Sequence, residues 1–157
     1  MKDRMQKIVT LFLDNGVIDK FVLAPINTGQ HWVLLGINLK LEIIHYLDPI
    51  AVDINMRQDL KKLFDMVIQT YRAQTGNMVS KSKSNNIKWT TIKCPRQPNG
   101  NDCGYYVCQY MKEIITYCEG GTIPTDYFSS CRCQQYHESQ IIEVRENWCI
   151  HVISTCL

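Results

Sequence analysis

The chain has 157 residues, enough for one domain with a sizeable core and too short for two comfortable ones. A hydrophobic share of 45%, a charged share of 20% and a net charge of +2 at pH 7 are those of a soluble globular protein, with no compositional case for nucleic acid or membrane binding. The longest apolar runs, such as WVLLGI, are strand-sized, which excludes a transmembrane helix.

The N-terminus, MKDRMQKIVTLFLDNG, has a charged start, a short apolar run and no small-residue cleavage site after it. It reads as an amphipathic helix and not as a signal peptide. Residues 20–26, KFVLAPI, are rich in β-formers and read as a short strand. Residues 31–37 (HWVLLGI) and 41–47 (LEIIHYL) form two more, joined around Asn38-Leu39-Lys40. Val33, Leu35 and Ile37 fall on one side and Trp32 and Leu34 on the other, so this pair is expected to be covered on both faces.

From Asp53 to Thr75 the spacing changes to threes and fours, with Leu60, Leu63, Phe64, Val67, Ile68 and Tyr71 on one stripe and Gly76 at the end. That is an amphipathic helix with a glycine stop. SKSKSNN at 80–86 reads as a polar loop, with a targeting signal as the lesser reading of its lysines. KWTTIKC at 88–94 reads as a strand. Cys103 to Glu119 is the second strong helix, stopped by Gly120-Gly121. A last helix is expected from Gln134 to Ile153, carrying Ile141, Ile142, Val144, Trp148 and Val152. Strands and helices intermix without regular βαβ alternation, so the fold class is α+β, in one domain over 1–157.

Eight cysteines without a secretory signal favour a reducing intracellular compartment, nucleus or cytoplasm, over a disulfide framework. Among them Cys103 stands out. Asp102 or Asn101 is a good N-cap, which puts Cys103 on the first turn of its helix, where unsatisfied N–H groups and the dipole favour a thiolate. The competing reading is a small buried core thiol. A tight turn at Leu39-Lys40 would pair Asn38 with Leu41, Gly36 with Ile43 and His31 with Asp48, on one face at the open end of the hairpin. The carboxylate could then fix the imidazole tautomer and leave the other nitrogen for a nucleophile. A strand-end histidine and a turn aspartate before Pro49 are the plain alternative. His45 is a rival base that strand alternation points away from His31's face.

Gln97, six residues before Cys103, can donate its side-chain amide to a developing oxyanion, as can the backbone N–H of Cys103. Gly104 leaves room for a substrate backbone. A zinc site from Cys131, Cys133, His137, Cys149, His151 and Cys156 has ligand types without a standard spacing, so no metal or other cofactor is expected.

His31-Trp32, then Tyr46-Leu47-Asp48-Pro49, then Gln97 and Cys103 within QPNGNDCG, resemble the Ulp1/SENP (C48) family of ubiquitin-like protein proteases over about residues 15–120. The C-terminal QIIEVRENW is similar to plant, transposon-associated members. The resemblance implies a papain-like α+β fold and cleavage after the C-terminal Gly-Gly of a ubiquitin-like modifier, usually SUMO. It implies Cys103 as nucleophile, His31 as general base, Asp48 as its orienter and Gln97 as oxyanion donor. Trp32 would cover the tunnel that admits the Gly-Gly tail. The expected partners are SUMO or a related modifier and its conjugates, with the chain acting as a monomer. Against the family's usual catalytic domain the chain reads as shortened before His31, with neither Trp89 nor Trp148 placed to supply a second tunnel tryptophan. The alternative reading is therefore a copy that binds a ubiquitin-like protein without cleaving it.

Overall fold

A computed structural model describes residues 2–76, 87–118, 122–129 and 134–156. In chain order the elements are α1 (Lys2–Asp14), β1 (Phe21–Asn27), β2 (Trp32–Asn38), β3 (Ile43–Leu47), α2 (Gln58–Thr75), β4 (Lys88–Thr91), α3 (Cys103–Tyr117) and α4 (Glu138–Cys156). The strands form one sheet in the order β1-β2-β3-β4, antiparallel from β1 to β3 and parallel between β3 and β4. The mixed α+β class follows from this.

The near-continuous apolar strands are explained by helices on both faces. Val33, Leu35, Ile37, Ile44 and Tyr46 pack with Val9 and Phe12 of α1 and with Phe64, Val67, Ile68 and Tyr71 of α2. Leu34 and Leu47 point the other way, onto Tyr106, Val107, Tyr110 and Ile114 of α3 and Ile141 of α4. Alternation along β2 and β3 thus divides the core into two layers with the sheet between them.

Several boundaries differ from the sequence reading, among them the end of β4 at Thr91 and of α3 at Tyr117. The β2–β3 connection takes in Leu39 to Glu42, with Glu42 at φ 57° and Leu41 N–H donating to Asn38 Oδ1 at 2.9 Å. Asn38 therefore pairs with Ile43 and Gly36 with His45, a shift of two residues from the expected register. Leu-Lys cannot easily supply the positive φ of a two-residue turn, so the longer loop wins. Because the shift is even, each side chain keeps its face. The helix expected from Asp53 begins at Gln58, after a 3-10 turn at Ile54–Met56 in which Asp53 Oδ1 accepts from Asn55 N–H at 2.7 Å. The last helix starts at Glu138, since His137 N–H is taken by the Gln140 side chain at 3.0 Å. Gly76 does terminate α2, at φ 66°. The expected loop at 80–86 and the Gly120-Gly121 stop lie outside the described residues. No described helix is long and apolar enough to cross a membrane.

His45 lies on the α3 side of the sheet, opposite to His31's face, and is 4% exposed. Its Nε2 accepts from Ile123 N–H at 3.3 Å, and Phe21 meets its ring edge-on. Burial, helped by Lys88, pushes its pKa down to about 4. The unfolded chain binds this proton near pH 6.5 and the folded chain resists it until about pH 4. Stability from this group is complete above the unfolded value and is lost as pH falls through that window. In urea titrations the wild type should lose roughly 2–3 kcal/mol more than His45→Gln between pH 7 and pH 4. Equal losses would show that His45 is not the group that makes the fold acid-sensitive.

Candidate active site

His31 is placed by the tight turn between β1 and β2. Its carbonyl accepts from Thr28 N–H at 2.8 Å and from Thr28 Oγ1 at 2.9 Å, and Gly29 supplies the positive φ of 115° that the turn requires. From there the imidazole reaches Asp48, just past β3, with Nε2 2.8 Å from Oδ1. The imidazole is mostly buried, at 13% side-chain exposure, and the carboxylate almost completely, at 1%.

The Asp48 carboxylate is filled from several directions. Oδ1 also accepts from Ile50 N–H at 2.9 Å, and Oδ2 accepts from Tyr46 OH at 2.6 Å. The Arg57 guanidinium lies 3.7 Å from Oδ2. Burial first, then Asp48 itself, raises the Tyr46 phenol well above its usual value, so the phenol stays protonated and donates. A carboxylate so satisfied is a rigid acceptor for His31 Nε2, which leaves Nδ1 as the free ring nitrogen.

Cys103 is the first residue of α3 and is 6% exposed. Gly104 follows it and lies against Trp32: a Cβ added there would be 3.6 Å from Trp32 Cδ1 and 3.9 Å from Nε1. The residue after His31 and the residue after Cys103 are thus in contact, which brings the start of β2 against the first turn of α3. Trp32 remains 38% exposed above it. Gln97 is tied to the same region, its N–H donating to Pro49 carbonyl at 2.9 Å and its side-chain Nε2 to Asn99 carbonyl. One amide hydrogen of that Nε2 stays unused by this bond.

Asp102 does occupy the N-cap position, but its side chain makes no capping hydrogen bond. Oδ2 accepts from Asn99 Nδ2 at 2.7 Å and Oδ1 pairs with Arg145 of α4. The first-turn N–H groups are left to other acceptors.

A second thiol, Cys94, is close by and directed at Asp48 carbonyl at 3.6 Å, but burial pushes it up to about 11, so it stays an unreactive thiol. The other residues weighed in the sequence fall elsewhere. Trp89 donates to Asp65 of α2 at 2.9 Å and Trp148 of α4 to Cys108 at 3.1 Å, so both indoles are engaged outside the Trp32–Gly104 contact. Cys131 and Cys133 lie outside the described residues. Among the described residues no three His, Cys, Asp or Glu side chains converge as metal ligands, and His137 bonds Ser139 at 2.8 Å.

Sequence reasoning missed Tyr46, Arg57, Asn99 and Arg145. Tyr46 was accessible, since two residues before Asp48 is the same strand face. Arg57, Asn99 and Arg145 depend on where loops and α4 come to rest, and no local pattern marks them.

A sheet covered by helices on both faces, with a cysteine opening one helix and a strand-end histidine whose next residue meets the residue after that cysteine, defines a papain-like cysteine-protease fold. Residues 18–143 match the Ulp1 protease family, C-terminal catalytic domain, and the chain belongs to that family. Among curated proteins it is 35% identical to ubiquitin-like-specific protease 1 of Saccharomyces cerevisiae over 99 residues, 58% of this chain and 14% of that protein. It is 29% identical to human sentrin-specific protease 2 over 100 residues, 60% of this chain and 16% of the relative. The solved SUMO protease Ulp1 with its catalytic cysteine oxidised to a sulfonic acid superposes with a TM-score of 0.57 at 24% identity, over 90% of this chain and 57% of the other. The Ulp1 protease domain in complex with Smt3, the yeast ortholog of SUMO, gives 0.51 at 23% identity, over 78% of this chain and 47% of that one. The chain therefore spans about a sixth of the length of the curated relatives and about half that of the solved domains.

Removal of the Tyr46 hydroxyl should leave Asp48 Oδ2 with the distant Arg57 alone. Tyr46→Phe is expected to lower unfolding free energy by about 1–3 kcal/mol, the cost of an unsatisfied buried acceptor. Chemical denaturation checks this, and an unchanged midpoint would mean that water replaces the phenol.

Proposed function

We propose that the chain is a thiol peptidase and isopeptidase that cleaves after the C-terminal Gly-Gly of a ubiquitin-like modifier, with SUMO the preferred class. The observation that supports this reading is the His31–Asp48 pair, at 2.8 Å, together with the contact between Trp32, which follows His31, and Gly104, which follows Cys103.

In this mechanism His31 Nδ1 takes the Cys103 proton, forming a thiolate–imidazolium pair held by Asp48 through Nε2. The thiolate attacks the glycyl carbonyl carbon. The oxyanion that forms is met by the free amide hydrogen of Gln97 and by the Cys103 backbone N–H, at the positive end of α3. Collapse of the tetrahedral intermediate breaks the C–N bond, and the imidazolium gives its proton to the departing amine. A thioester on Cys103 remains. Water, deprotonated by His31, then attacks it, releasing the modifier carboxylate and returning the proton to the thiol. Gly104 beside the nucleophile and Trp32 against it present little side-chain bulk to an approaching substrate backbone, which fits a tail ending in two glycines. The family membership and the solved complex of the Ulp1 domain with Smt3 support SUMO as the modifier.

A labelling panel tests this directly. SUMO, ubiquitin and NEDD8-type proteins carrying a C-terminal thiol-reactive group are mixed with wild type, Cys103→Ala and His31→Ala. A SUMO adduct is expected for wild type, none for Cys103→Ala, and formation slowed by roughly 100- to 10,000-fold for His31→Ala, the usual worth of a general base. No adduct with any probe, from protein shown to be folded, would replace this reading with a domain that binds a modifier without cleaving it.

A further inference from the structure

An aspartate at an N-cap normally turns its carboxylate onto the N–H groups of the second or third helical residue. Asp102 does not. Its carboxylate, in a residue 7% exposed, is drawn sideways by Arg145 of α4 and by Asn99 Nδ2 at 2.7 Å. The Arg145 guanidinium is itself seated over the Tyr105 ring, 5.0 Å from its centroid. α4 is held against α3 by Lys112–Glu143 at 2.7 Å and by the Trp148 indole on Cys108.

Asn99 then carries the arrangement toward Gln97. Its Oδ1 accepts from Asn101 N–H at 2.9 Å and Asp102 N–H at 3.1 Å, and its carbonyl accepts from the Gln97 amide. One arginine thus anchors a chain of contacts that runs through Asp102, the residue before Cys103, and ends at the expected oxyanion donor. The stretch that matches the family model ends two residues before Arg145.

We infer that Arg145 is a positioning residue for the reaction at Cys103: by holding the Asp102 carboxylate off the start of α3 and neutralising it, it keeps the first-turn N–H groups open to the thiolate and the oxyanion. The inference rests on the reading of Cys103 as the nucleophile. Without Arg145, the Asp102 carboxylate would swing onto the first-turn N–H groups as an ordinary cap. It would also place an unbalanced negative charge next to a thiol that must ionise. The other charged and titratable groups around this point are His31 and Asp48 with Arg57 from the sheet side, and Tyr106 on α3. The Tyr106 phenol is raised chiefly by burial, with Asp102 adding to it. None of these changes in the variants below.

The test uses the full chain as wild type, Arg145→Met, Arg145→Lys and Arg145→Met/Asp102→Asn. Two readouts are taken alongside melting temperature: kcat and KM on a SUMO C-terminal aminocoumarin, and the pH midpoint of Cys103 alkylation by iodoacetamide, followed on its own peptide by mass spectrometry. Arg145→Met is expected to lower kcat about 10- to 100-fold with little change in KM, and to move the alkylation midpoint up by about one unit, a tenfold loss of thiolate. Arg145→Lys should fall between. Asp102→Asn on the Arg145→Met background should recover much of the loss, because the unbalanced charge is gone. A purely structural role predicts the reverse: a double variant no better than Arg145→Met, an unmoved midpoint and a rate loss that follows melting. Any of those results overturns the inference. If wild type turns over no modifier substrate, the substrate reading fails by itself, and the alkylation midpoint still decides Arg145: an upward shift sustains its role and an unmoved midpoint removes it.

Discussion

The burial of the Asp48 carboxylate is the constraint on which the rest of the site depends. An ionised carboxylate removed from water costs several kcal/mol unless its lone pairs are filled and its charge is met. Here the filling groups come from four places: His31 before β2, Tyr46 within β3, Ile50 in the turn beyond it, and Arg57 just before α2. Each group is therefore held by the same acceptor, and none can drift without exposing the charge to an unsatisfied state. The imidazole orientation is a by-product of that accounting. A histidine at a strand end with one exposed face would otherwise sample several rotamers.

A second buried carboxylate, that of Asp102 before Cys103, is handled differently. Asp48 takes donors from its own hairpin and the following turn, whereas Asp102 is met by a loop asparagine and by an arginine from the last helix. Both acids are thus kept from the unsatisfied helix start of α3, one by its own network and one by being pulled aside. What stays open at that point is a set of backbone donors beside a thiol. Such fixed dipoles are most effective where a charge develops transiently, since they need no reorganisation when it appears.

The two-layer core explains why these loops can be held so closely. β2 and β3 bury side chains on both faces, so the sheet cannot slide relative to either helical layer without opening voids. The His31 end of the sheet and the N-terminus of α3 are consequently placed by packing far from the chemistry, by Leu34 and Leu47 against Tyr106, Val107 and Tyr110. The Trp32–Gly104 contact is the local expression of that packing.

Much of this was legible in the sequence, for physical reasons that can be named. Period-two alternation placed His31 and Asp48 on one face, and the assignment survived a register shift of two residues because side-chain direction repeats every two. Periodicity in threes and fours located α2, α3 and the apolar stripe of α3, and the polar turn before Cys103 marked a helix start. The resemblance of the short motifs then pointed to a family that the match over residues 18–143 bears out. The sequence did not reveal the length of the β2–β3 loop, which is set by a positive φ at Glu42, or the outward turn of Asp102. Nor could it show that Arg57 and Arg145 would meet two aspartates distant in the chain. Local patterns report which face of an element is apolar and where it starts. Which charged side chain from elsewhere neutralises a buried acid is decided only when the layers pack, since that pairing depends on distances across the fold and not on neighbours along the chain.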